Sequence, residues 1–99
     1  MRLGQGQADI IKAEVEQLLG PEARVWLFGS RADDAARGGD IDLYVEVDEA
    51  LGNRAALASR LAARLQLRMG DQRIDVVLVD QQTPSQPIHS AAREEGVRL

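Results

Sequence analysis

The chain contains no cysteine, which excludes disulfide cross-links and thiolate zinc sites. Aromatic residues are nearly missing. Trp26, Phe28 and Tyr44 are the only ones, so a core has to be assembled mainly from Leu, Val, Ile and Ala. No apolar run approaches the roughly 20 residues of a membrane span, and Met1-Arg2-Leu3-Gly4-Gln5-Gly6 lacks the apolar stretch of a signal peptide. A cytoplasmic protein with no membrane partner is the expectation. An excess of positive charge is also missing: the formal net charge is −4, so the chain lacks the basic field behind most non-specific nucleic-acid affinity. Direct contact with nucleic acid is therefore not expected.

What is present is a chain of 99 residues with 44% hydrophobic content. That size fits one domain over residues 1–99, burying about 60% or a little more of its extended-chain surface. Lys12 is the only lysine among 12 basic residues. The arginines suit forked contacts to phosphate or carboxylate, although a GC-rich genome is the better account of them.

Ile11, Val15, Leu18 and Leu19 recur at helical spacing and Gly20-Pro21 supplies a stop, which gives a first helix from about Gln7 to Leu19. Arg24 to Phe28 reads as a short strand with bulky residues throughout, as expected when both faces are covered. Ser30 followed by Asp33 fits a capping-box-like start, so 31–37 reads as a short helix ended by Gly38-Gly39. From Asp40 to Val47 the pattern alternates strictly, with Ile41, Leu43, Val45 and Val47 on one face and Asp40, Asp42, Tyr44 and Glu46 on the other. Asn53 to Met69 makes a long amphipathic helix on Leu57, Leu61 and Leu65, ended by Gly70. Its Arg60, Arg64 and Arg68 row reads first as a solvated face and second as a partner-facing patch. Arg73 to Val79 is a third strand, and Ile88 to Glu95 a last helix, with His89 on its surface, before Gly96 and an apolar tail. The order implies an α/β fold with a small sheet covered by helices.

The stretch Leu27-Phe28-Gly29-Ser30 followed by Asp40-Ile41-Asp42 carries the chemistry. Residues two apart on a strand share a face and lie about 6.6 Å apart along it, so the carboxylates of Asp40 and Asp42 can converge on metal. Carboxylate oxygens are the hard ligands that Mg2+ takes, commonly one or two of them together with substrate phosphates. Asp75, inside an otherwise apolar strand, is the candidate third carboxylate, as metal ligand, as general base for an attacking hydroxyl, or as both. Gly29 lets the backbone approach a ligand, and Ser30 offers a hydroxyl and helix N-terminal amides to an anion. No Walker-type lysine motif is present, so phosphate charge has to be met by metal, amides and Arg31. Alone, a glycine turn with an aspartate at a strand start is ordinary turn chemistry; Asp75 and the element order make the pattern more specific.

These residues resemble the minimal nucleotidyltransferases of the DNA polymerase beta superfamily. The likeness spans nearly the whole chain: the first helix, V-W-L-F-G-S-R-A, D-I-D-L, R-I-D-V-V and the terminal P-I-x-x-x-A-x-x-E-G-V. It implies a small mixed β-sheet covered by helices, and transfer of AMP from Mg2+-ATP onto a hydroxyl. Gly29, Ser30 and Arg31 then hold the nucleotide; Asp40, Asp42 and Asp75 are both the catalytic and the metal-binding residues. It implies too an antitoxin whose partner is a HEPN-type ribonuclease toxin encoded by a neighbouring gene, adenylylated on tyrosine. An idle antitoxin that works by binding alone and a small-molecule nucleotidyltransferase subunit are the alternatives. The chain has Asp34 where the family often has glycine and Gly39 where it often has serine. An added carboxylate beside a triphosphate costs about 1 kcal/mol at 4 Å in water.

Overall fold

The computed structural model describes residues 3–29, 40–70, 73–84 and 87–99. The elements run α1 (Gln5–Leu19), β1 (Arg24–Phe28), β2 (Ile41–Glu46), α2 (Arg54–Met69), β3 (Ile74–Val79), α3 (Pro87–Glu95) and β4 (Val97–Arg98). The short helix expected at 31–37 lies outside the described residues. One mixed sheet has the order β3-β2-β1-β4. β1 pairs antiparallel with β2 and β4, while β2 and β3 are parallel, because α2 lies between them as the crossover that parallel neighbours need.

Strand alternation sorts the side chains onto two faces. Val25, Leu27, Ile41, Leu43, Val45, Ile74 and Leu78 form one cluster with Ile11 and Val15 of α1 and Leu61 and Leu65 of α2. The helix stripes read from the sequence are the ones that meet this face. Asn53 caps α2 by accepting a hydrogen bond from the Ala56 amide at 3.1 Å, and Gly70, at a φ of 90°, ends it. The other face is smaller: Trp26, Tyr44 and Val79 pack with Ala92 of α3.

Three expectations are corrected. The apolar tail is a strand: Val97 pairs with Leu27 and Arg98 with Trp26. Here α3 turns directly into β4 through Gly96, where an added Cβ would collide with the Ala92 carbonyl oxygen. His89 is buried, with its ring 5.8 Å from that of Tyr44, because α3 lies on the second sheet face and turns His89 inward.

The arginine row of α2 is only in part a solvated stripe: Arg60 is exposed, but Arg64 and Arg68 are paired. The Arg64 Nε donates to Glu14 Oε2 at 2.7 Å and Arg68 Nη1 to Glu14 Oε1 at 3.1 Å. Glu14 is 5% exposed, so the two guanidiniums clamp α1 to α2 over a carboxylate that could not be left ionised there alone. Burial raises its pKa, but the hydrogen bonds and charges of Arg68 and Arg64 outweigh that and hold it below the ordinary carboxylate value.

Glu14→Ala removes two charge-assisted hydrogen bonds and should cost about 1.5–3 kcal/mol. Because the folded pKa lies below the unfolded one, this stabilisation is present above the unfolded pKa and lost as pH falls through the folded value. Urea unfolding at pH 7 and pH 3 checks both statements: the gap between wild type and Glu14→Ala should be large at pH 7 and narrow at pH 3. A gap that does not change with pH would contradict the clamp.

Candidate functional site

Asp42 lies near the start of the central strand β2. On one side its register partner is Phe28, the last residue of β1, and on the other it is Asp75 of β3. The chain leaves β1 through Gly29, at a φ of 75°. A Cβ built there would sit 2.5 Å from Asp42 Oδ2, so only glycine lets this carboxylate lie against the turn. The Ile41 amide donates to the Arg73 carbonyl at 2.9 Å, which sets β3 in the register that brings Asp75 beside Asp42. Both aspartates thus come to the same end of the sheet as Gly29, and Asp40 immediately precedes β2. Gly29, Asp40 and Asp75 are exposed and Asp42 is half-buried.

The electrostatics single out Asp42. Its carboxyl is pushed above the usual carboxylate value by burial first, then by the negative charges of Asp75 and Asp40, with Arg73 opposing. Arg73 Nε lies 3.3 Å from Asp75 Oδ2, between side chains 71% and 49% exposed. A pair that open to water offsets the repulsion only weakly.

Other acids with restricted access to water behave differently. Glu46 lies four residues along β2 from Asp42, on the same face. It accepts from Arg24 Nη2 at 2.7 Å, Tyr44 Oη at 2.9 Å and Arg93 Nη1 at 2.9 Å. Burial alone would raise its pKa, yet the arginines and the tyrosine hydroxyl bring it down to about 2. The buried Asp80 accepts from the Leu51 and Gln82 amides and the Thr83 hydroxyl, and its pKa is lowered as well, with the Leu51 amide the largest cause. Among the described carboxylic acids whose pKa is shifted, Asp42 alone is shifted upward.

Asp40, Asp42 and Asp75 offer oxygen donors only, a set that suits a hard divalent cation such as Mg2+ and matches zinc or copper poorly. Among the described residues no group of three or more His, Cys, Asp or Glu side chains is close enough to hold a metal ion. Asp75 and Asp40 nonetheless stand near enough to perturb Asp42. Ser30 and Arg31, expected to hold the nucleotide, lie outside the described residues. The sequence reading missed the network around Glu46. Its Arg24 half was accessible, since Arg24 and Glu46 are register partners, but Arg93 depends on how α3 docks.

Two variants test this geometry. An acid whose folded pKa is raised binds more protons folded than unfolded, so it costs stability as pH climbs above the unfolded pKa. In chelator, Asp42→Asn should melt higher than wild type at pH 7, by on the order of 3 °C, and the advantage should shrink as pH falls toward 4. A lower melting temperature at pH 7 would mean that Asp42 is structural. Gly29→Ala, forced to a positive φ with Asp42 in its way, should lose about 1–3 kcal/mol.

No helix among the described residues is long and apolar enough to cross a membrane. A search of curated proteins finds no relative that matches this chain. Residues 8–96 match the family described as nucleotidyltransferase domain, a span that holds Gly29 and all the carboxylates placed above. With a four-stranded mixed sheet, three helices among the described residues packed on its two faces, and an aspartate pair across two parallel strands, the chain belongs to the nucleotidyltransferase domain family.

Proposed function

We propose that the protein is an antitoxin that transfers AMP from Mg2+-ATP to a hydroxyl, tyrosine being the expected one, of a cognate HEPN-type ribonuclease toxin encoded by a neighbouring gene. The observation that carries the catalytic part is Asp42, held between Gly29 and Asp75 with only the weak counter-charge of Arg73 among the described residues, while Glu46 on the same strand face is fully paired. A carboxylate held by two arginines and a tyrosine hydroxyl, as Glu46 is, is a poor metal ligand. A crowded anionic group open to solvent on one side is a good one, because a cation relieves the crowding.

In this reading Asp40, Asp42 and Asp75 hold Mg2+, which supplies charge neutralisation along the triphosphate. Gly29 brings backbone close to the phosphates, and Ser30 and Arg31 bind their oxygens. Asp75 accepts the proton of the acceptor hydroxyl. That oxygen bonds to the α-phosphorus, the bond from the α-phosphorus to the bridging oxygen breaks, and pyrophosphate leaves with the electron pair. A basic ribonuclease is attracted to a chain of net charge −4. A cytoplasmic location fits such a pair.

The test mixes this chain with the neighbouring gene product, ATP and Mg2+, and weighs the toxin by intact mass spectrometry. Additions of about 329 Da, one AMP unit each in this phosphoryl-transfer chemistry, should appear with wild type, vanish with Asp40→Asn, and fall at least about 100-fold in rate with Asp75→Asn. Toxin neutralised equally well by Asp40→Asn, with no mass change, would assign the protein to the binding-only antitoxin, a reading that Asp34 and Gly39 favour.

A further inference from the structure

β3 is the outermost strand of the sheet, and among the described residues no strand pairs with its outer side. The Ile41 amide donates to the Arg73 carbonyl and the Val47 amide to the Val79 carbonyl. Strand alternation then turns the peptide groups of Arg73, Asp75, Val77 and Val79 toward β2 and those of Ile74, Val76 and Leu78 outward. An open row of alternating donors and acceptors is complementary to one thing, another extended backbone.

The edge is bordered by space. A cavity of about 340 Å3 separates it from the first half of α2, with Ala55 and Ala58 on the helix wall and Val76 and Leu78 on the strand wall. Residues 55 and 58 are one helical turn apart, and as alanines they leave open the room that Leu61 and Leu65 fill further along. Val76 is only partly buried. The same edge begins beside the candidate site, since Asp75 is its second residue.

We propose that the acceptor reaches Asp42 as an extended segment of a basic partner protein, hydrogen-bonded to the outer edge of β3 with apolar side chains in the α2 cavity. This rests on the nucleotidyl-transfer reading and names the form of its substrate. The alternation fixes a signature. The segment's residue opposite Asp75 shares that face and carries the hydroxyl, while the residues one and three positions on, opposite Val76 and Leu78, point into the cavity and are apolar. A second copy of this chain is the wrong occupant, because antiparallel pairing of two β3 strands brings two Asp75 sites together on chains that each carry −4. A positively charged segment meets Asp40, Asp42 and Asp75 with the opposite sign.

The probes are two hexapeptides, acetyl-Arg-Tyr-Val-Thr-Val-Arg-amide and its reverse acetyl-Arg-Val-Thr-Val-Tyr-Arg-amide, covering both strand directions. Each is titrated into isotope-labelled full chain without nucleotide or metal. One of them should shift the outward amides of Ile74, Val76 and Leu78 more than those of Asp75, Val77 and Val79. Ala55→Leu, at an exposed helix position, fills the cavity and should weaken binding on the order of tenfold with an unchanged melting temperature. Shifts located elsewhere, no binding by either peptide, or full affinity in Ala55→Leu would overturn the proposal. So would a peptide-independent dimer protecting the same outward amides, which would give the edge to a second copy. Failure of the catalytic reading shows separately, as no AMP on either bound peptide or on free tyrosine amide when Mg2+-ATP is added.

Discussion

Strand β2 carries a carboxylate into a position where, among the described residues, only the solvent-exposed Arg73 offsets its charge, and weakly, and the rest of the structure is arranged around that. Asp42 is half-buried, pressed against the Gly29 turn on one side and set opposite Asp75 on the other. Burial and two neighbouring carboxylates all oppose its ionisation. Such an arrangement persists only where the surrounding fold enforces it, and perturbed carboxyls of this kind gather at functional sites.

The enforcement comes from groups that are fully satisfied. Glu14 ties α1 to α2 through two arginines, and Asp80 gathers the amides of Leu51 and Gln82 at the far end of β3. On the second sheet face Glu46 joins Arg24 of β1 to Arg93 of α3, while Tyr44, 1% exposed, fills the space beneath that helix with His89 and Trp26 beside it. β4 then closes one edge of the sheet against β1. With the opposite edge unpaired among the described residues, the domain offers its site and an adjoining strand edge on the same side, an arrangement that suits an acceptor supplied by another molecule.

Much of this was legible in the sequence because alternation and helical spacing report which face is apolar. Ile41, Leu43 and Val45 against Asp42, Tyr44 and Glu46 sorted as the periodicity indicates, and α2 ends at Gly70 as read. The pairing of Asp42 with Asp75 was expected in kind, since two neighbouring strands each carry an aspartate, but its register depends on backbone bonds such as Ile41 to Arg73. His89 was misread because a nine-residue helix gives little information about which side it buries. β4 was missed because two residues carry no period. The Arg64 and Arg68 clamp was missed because the partner, Glu14, is 50 residues away from Arg64 and nothing local marks it.

The central claim is that Asp40, Asp42 and Asp75 form the cation and nucleotide site of this domain. Replacing Mg2+ with paramagnetic Mn2+ in the presence of ATP, at substoichiometric metal, broadens the amide resonances nearest the bound ion. The account expects the strongest broadening at Gly29, at 40–42 and at 74–76, abolished in Asp42→Asn. Broadening centred on another acidic group such as Glu22 and Asp48, or a pattern unchanged by Asp42→Asn, would contradict it.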